Sequence, residues 1–290
     1  MKRFIKEITI FLLIIFMSFL GAFFFSMEII KLKIKSHPII LLGDSQTKHI
    51  NISSIYNNSI DGSPYFVHYI FAKEFINQLK GKKIYISYNF HNLSKLYENR
   101  LANDNLYPGW KNKMIEHMND YNLIKHSLPE IDKYKKQDEN FFNYKMPIRL
   151  IKHILISNHR ENTNKSISDT LSIRKAIYRH WYNPKYILND NIQRKYLHKL
   201  ITLLKENNCE VVLIRMPITN YYIENVPQNI KDEFYYLPKK YQVRLLDLND
   251  KLALSKNYTY FKDYGHLNKL GDSLILRYLI ERENVLNIDK

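Results

Sequence analysis

Cysteine occurs once in the 290 residues, as Cys209. That excludes an intramolecular disulfide framework and any cysteine-cluster zinc site. Glycine is scarce as well, with 7 residues, about 2.4% against a usual ~7%. Collagen-like and glycine-rich low-complexity architectures are therefore excluded, and no glycine-rich loop ending in Lys-Ser or Lys-Thr is present to cradle a phosphate. Acidic residues are outnumbered, 28 Asp and Glu against 44 Lys and Arg, for a net charge of +16. Such an excess favours anionic partners such as nucleic acid, anionic lipid headgroups or acidic glycans. The chain carries no helix-turn-helix or zinc signature, so nucleic acid is not expected among them. Hydrophobic residues make up 45% and aromatics 14%, enough for a substantial core, so the chain is not disordered as a whole.

Residues 8–27 read ITIFLLIIFMSFLGAFFFSM, twenty residues without a charge. At about 1.5 Å per residue this run matches the ~30 Å hydrocarbon layer of a bilayer. Lys2, Arg3 and Lys6 precede it, and three phenylalanines follow Gly21-Ala22, where a cleaved signal peptide would have a small-x-small site. The run is expected to be an uncleaved, single-pass signal anchor. Basic residues flank both sides, and the short tail is expected to stay in the cytoplasm. The remainder would then lie outside the inner or plasma membrane, which a single cysteine fits. The expected organisation is a tail, anchor and basic stalk over 1–36, then one domain over 37–290.

Within that domain, Pro38-Ile39-Ile40-Leu41-Leu42 is a continuous apolar run ended by Gly43, the pattern of a buried parallel strand. Similar runs lie at 83–88 (KIYISY), 210–216 (EVVLIRM) and 243–248 (VRLLDL). Helical spacing marks 65–80, 192–206 and 269–281. Strands alternating with helices predict a parallel sheet covered on both faces. Between 93 and 190 the pattern weakens, and a helical or loop insertion over the sheet is expected there. Its segment 174–186 (RKAIYRHWYNPKY) mixes cations with aromatics. Such a segment either lines a glycan groove or forms an amphipathic helix with its aromatics in the core.

Gly43-Asp44-Ser45 stands at the end of the first strand, where a nucleophile becomes exposed at a sheet's carboxyl edge; the same residues could instead cap a helix. Far along the chain stands Asp263-Tyr264-Gly265-His266. A serine hydroxyl needs a base to take its proton, histidine has a suitable pKa, and a carboxylate can orient the ring. Asp-x-x-His supplies base and carboxylate from one turn. Two of the seven glycines, Gly43 and Gly265, abut these elements.

With these motifs the chain resembles the SGNH (GDSL-like) hydrolase superfamily, in its membrane-anchored, envelope polysaccharide-modifying type. The resemblance implies a flavodoxin-like three-layer α/β/α sandwich with a mainly parallel sheet. It implies a catalytic triad of Ser45, His266 and Asp263. It also implies an oxyanion hole formed by the Ser45 N–H, Gly62 and the Asn92 amide, with Asn89 as the alternative. Two positions depart from the family pattern: Ser45 is followed by Gln46-Thr47 rather than leucine, and the third block reads Asn89-Phe90-His91-Asn92 rather than Gly-x-Asn-Asp. His91 is read as supporting the site. The implied activity is a serine esterase or O-acyltransferase acting on O-acyl, chiefly acetyl, esters of a cell-envelope polysaccharide. It needs no cofactor or metal. Its implied partners are the membrane, the glycan and a membrane acyl-donor protein. The alternative is a non-catalytic anchored module that binds glycan or scaffolds a synthesis complex.

Overall fold

A computed structural model describes residues 2–102, 166–167, 170–186 and 191–282. Most of the expected insertion over 93–190 lies outside these residues.

The chain opens with α1 (Lys2–Ser36), a 35-residue helix. Among the described residues no helix is long and apolar enough to cross a membrane. The side chains of Ile15, Phe19, Leu20, Ala22 and Phe23, part of the charge-free run, lie outside the described set. The segment expected as a basic stalk forms the last turns of this helix. Met27, Ile30 and Ile34 share one helical face and are buried in the main core, while Lys31 and Lys33 are half-buried beside it and Lys35 is exposed.

The sheet is built from β1 (Ile39–Leu42), β2 (Ile55–Asn57), β3 (Lys83–Ser87), β4 (Glu210–Arg215) and β5 (Arg244–Asp247). Its order is β2-β1-β3-β4-β5 and every pairing is parallel. This is the 2-1-3-4-5 order of flavodoxin-like folds, in which the chain reverses direction across the sheet between β1 and β3. Ligands of such folds bind at that crevice, outside the carboxyl ends of the strands.

Successive strand residues point to opposite faces. Ile40, Leu42, Ile84, Ile86, Val211 and Leu213 enter one core, and Ile39, Leu41, Tyr85, Val212 and Ile214 enter the other. On the first face α2 (Tyr65–Glu74), the short α3 (Ile76–Leu79), α6 (Ile192–Glu206) and α8 (Gln228–Tyr241) contribute Phe66, Leu79, Leu200 and Phe234. On the second, α10 (Lys269–Arg282) contributes Ile275 and Leu279. The expected helix over 65–80 is thus two helices, divided at Phe75. Between these elements lie α4 (Lys95–Ala102), α5 (Leu171–Ile177), α7 (Asn220–Glu224) and α9 (Leu248–Leu252). Cys209 is buried, and its thiol donates to the Leu79 carbonyl at 3.1 Å.

Candidate active site

All strands being parallel, the carboxyl ends of β1, β3 and β4 meet at one edge of the sheet. Ser45 follows β1 there. No helix follows it: residues 45–49 form turns, so Asp44 and Ser45 are not a helix cap. Asp44 Oδ1 accepts the Gln46 N–H at 3.0 Å, an Asx turn that lifts Ser45 out of the core. Gly43 is required by close approach: a Cβ there would meet Thr47 Oγ1 at 1.9 Å and Ser59 Oγ at 2.6 Å.

The loop before α10 brings the second motif to the same place. His266 Nε2 lies 2.7 Å from Ser45 Oγ, and its Nδ1 lies 2.8 Å from Asp263 Oδ2. The Nδ1 nitrogen carries the proton and donates to the carboxylate, leaving Nε2 to accept from the serine hydroxyl. Asp263 Oδ1 also accepts the backbone N–H groups of Gly265 and His266, at 3.0 and 2.9 Å. Burial pushes the Asp263 carboxyl up, but the hydrogen bonds and charge of His266, with the two backbone donors, outweigh it and hold it below its usual value. Burial likewise pushes His266 down, and Asp263 reverses this, leaving the imidazole above its usual 6.5. The structure thus places Ser45, His266 and Asp263 in one hydrogen-bonded line with serine and histidine part-exposed.

The residues expected at the oxyanion hole divide. Gly62 adopts φ 66° in the turn after β2, and that turn is tied to the serine's strand: Ile60 N–H and Ser63 Oγ both donate to the Gly43 carbonyl, at 2.9 and 3.0 Å. Asn92 is buried, accepts the Asn89 N–H at 2.8 Å and donates to Asp44 Oδ2 at 2.9 Å. Its second amide hydrogen makes no bond among the described residues. Asn89 differs. Both its amide hydrogens are committed, to Gln46 Oε1 at 3.0 Å and to the Met216 carbonyl at 2.9 Å. The alternative donor Asn89 is therefore removed by geometry.

Asp44 and His91 form a buried pair behind the serine. His91 Nε2 donates to Asp44 Oδ2 at 2.8 Å, and both side chains are almost wholly enclosed. Ser87 Oγ adds a bond to Oδ1 at 3.3 Å. Burial alone would raise the Asp44 carboxyl, but His91, Asn92 and the Gln46 N–H hold it well below the usual carboxylate range. His91 thus supports the site by fixing the residue before the serine. No single motif signals this pair, because its members stand 47 residues apart. No group of three or more metal-ligating side chains occurs among the described residues.

No family model and no curated protein matches the chain. Solved structures similar to it include a GDSL-like lipase from Bacteroides thetaiotaomicron, at 10% identity and TM-score 0.42, with 86% of this chain and 87% of that chain covered. A candidate acylhydrolase from Bacteroides fragilis is similar at 11% identity and TM-score 0.41, with 85% and 86% covered. Likeness of this degree assigns no activity to the chain.

Proposed function

We propose that the chain is a serine esterase or O-acyltransferase of the SGNH type, acting on O-acyl esters of a cell-envelope polysaccharide. The observation that carries this reading is the continuous Ser45–His266–Asp263 line at the sheet's carboxyl edge, with distances of 2.7 and 2.8 Å. Ser45 Oγ attacks the ester carbonyl as His266 Nε2 takes its proton. Asp263 keeps the ring in the tautomer that can do so and stabilises the imidazolium. The tetrahedral oxyanion receives the Ser45 and Gly62 N–H groups and the free hydrogen of Asn92; one such donor is worth ~3 kcal/mol in barrier. His266 then returns its proton to the leaving alcohol. The acyl-serine passes its acyl group to water or to a sugar hydroxyl, with the same base activating either.

A polysaccharide substrate is supported by the surface beside the site. The α5 helix and the π-helical turn that follows it (Tyr178–Tyr182) bury Ile173, Ala176, Ile177, His180 and Trp181. The opposite face exposes Arg174, Lys175, Tyr178, Arg179, Tyr182 and Lys185, with no acidic residue between 170 and 186. The aromatics of this segment are thus divided, Trp181 in the core and Tyr178 and Tyr182 on the outer face. Tyr178 and Tyr182 are 54% and 56% exposed, flat surfaces on which sugars can stack between cations. On the inner face the His180 ring sits 5.2 Å from that of Tyr264, which lies between Asp263 and His266 in sequence. A strip of this composition fits an acidic glycan.

The anchor is part of the same proposal. Phe11, Leu12, Leu13, Ile14, Phe24 and Phe25 are about 60% exposed, which water does not favour and lipid does. We read α1 as a single-pass anchor in the inner or plasma membrane with the sheet domain outside, where a membrane acyl-donor protein could load Ser45. Acetate release from an O-acetylated acidic polysaccharide, and acetyl transfer from an aryl acetate to the de-acetylated polymer with release of the phenol, test the reading. Wild type should perform one of the two and Ser45→Ala neither; a Ser45→Ala chain as active as wild type would overturn it.

A further inference from the structure

A buried pair of amides connects the loops of the site. Asn89 is 0% and Gln46 5% exposed. Asn89 Nδ2 donates to the Met216 carbonyl at 2.9 Å and to Gln46 Oε1 at 3.0 Å, and Gln46 Nε2 donates to the Gly265 carbonyl at 2.7 Å. Both ends of this chain are carbonyls, which only accept. That fixes both amides: each must turn its NH2 to its carbonyl, and the Gln46 oxygen is left to accept from Asn89. Reversing either one would set oxygen against oxygen. The chain thus joins the carboxyl ends of β4, β3 and β1 to the loop that carries His266. Gln46 directly follows Ser45, and Gly265 directly precedes His266. Gly265 has no Cβ to obstruct the contact; one would sit 2.7 Å from Gln46 Nε2.

We propose that Gln46, held in orientation by Asn89, is the positioning residue that sets His266 against Ser45. The Ser45–His266 bond joins residues 221 apart in sequence. Thr219 ties the histidine loop to β4, its N–H and hydroxyl donating to the Tyr264 carbonyl at 2.9 and 3.1 Å. That contact fixes the loop to the sheet but not to the serine. The Gln46–Gly265 bond fixes it to the serine's own turn. An error of ~1 Å between reacting groups costs on the order of 10²-fold in rate, so a bond that sets this spacing governs turnover without touching substrate. The position at which the sequence departs from the family's leucine is thereby given a task. The effect on rate rests on the hydrolase reading above; the effect on geometry does not.

The test compares wild type with Gln46→Met, which keeps the length but makes no hydrogen bonds, in the full chain in detergent micelles with 15N-labelled histidine. The His266 ring signals are assigned by their loss in His266→Asn. In Gln46→Met they should move toward their positions in Ser45→Ala, where the serine partner is absent. The rate of fluorophosphonate labelling per folded molecule should fall about 10–100-fold. Ring signals that coincide with wild type, with a labelling rate within about twofold, would overturn the proposal. Gln46→Asn, too short to reach Gly265, gives the same reading should the methionine variant not fold. If wild type itself takes no label, the hydrolase reading fails and the ring signals alone decide the positioning.

Discussion

Replacing Asp44 by asparagine changes one atom and exposes how the serine turn is held. The carboxylate accepts from Gln46 N–H at 3.0 Å and Ser87 Oγ at 3.3 Å on one oxygen, and from His91 Nε2 at 2.8 Å and Asn92 Nδ2 at 2.9 Å on the other. An asparagine must turn its NH2 toward one side or the other. Toward His91 and Asn92 it would face two donors. Toward Gln46 and Ser87 it faces one fixed donor, because the Ser87 hydroxyl can rotate and accept. The second orientation is favoured, and it leaves the buried Gln46 N–H without an acceptor at a cost of ~1–3 kcal/mol. The bonds from His91 and Asn92 survive but lose their charge assistance, a further ~1–2 kcal/mol. The sum, about 2–5 kcal/mol, corresponds to a fall in Tm of roughly 5–15 °C for a domain of this size.

Thermal unfolding of the full chain in nonionic detergent, followed by near-UV circular dichroism, measures that fall. Its pH dependence adds a second check. The folded-state pKa of Asp44 is depressed, so its contribution is present above the unfolded value of ~3.9 and is lost as pH falls below it. The gap between wild type and Asp44→Asn should therefore be full at pH 7 and narrow below about pH 4. A Tm shift under about 2 °C at pH 7, or a gap that stays constant into acid, would refute the reasoning.

Further outcomes follow from the same geometry. His266 must be neutral to accept the serine proton, and Asp263 raises its pKa, so the ascending limb of kcat/KM against pH should have its midpoint above 6.5. Asp263→Asn should lower that midpoint and cut kcat by about 10²–10⁴-fold; a limb unmoved in the variant would contradict the role given to Asp263. Arg174→Ala with Arg179→Ala should raise KM for an acetylated acidic polysaccharide by about tenfold and leave hydrolysis of a small aryl acetate unchanged, the polysaccharide effect fading in high salt. Equal losses on both substrates would contradict a glycan-binding role for the strip. The full chain should remain with the membrane fraction after alkaline carbonate extraction, and release into the supernatant would contradict the anchor.

The sequence made the central strands legible because β1, β3 and β4 are continuous apolar runs buried on both faces. It did not reveal β2, whose three residues are too short to show a period. Nor did it mark α8, where Pro238 lies inside the helix and reads as a breaker. Serine, histidine and aspartate stood out because their chemistry is distinctive and because two rare glycines flank them. The amides did not. Asn89 and Asn92 are chemically alike, and only their tertiary partners separate an NH2 that makes two bonds from one that makes a single bond. Gln46 looked like a departure from a pattern until its two bonds, to Asn89 and to Gly265, showed what it joins. The Asp44–His91 pair was illegible for the same reason, since it exists only once β1 and β3 lie side by side.

The most direct test of the account is fluorophosphonate labelling of the full chain in detergent, beside Ser45→Ala and His266→Ala, with the modified peptide located by mass spectrometry. The account predicts that wild type is labelled on the peptide containing Ser45 and that neither variant is. A folded wild-type chain that takes no label, or a label that survives removal of His266, would contradict it.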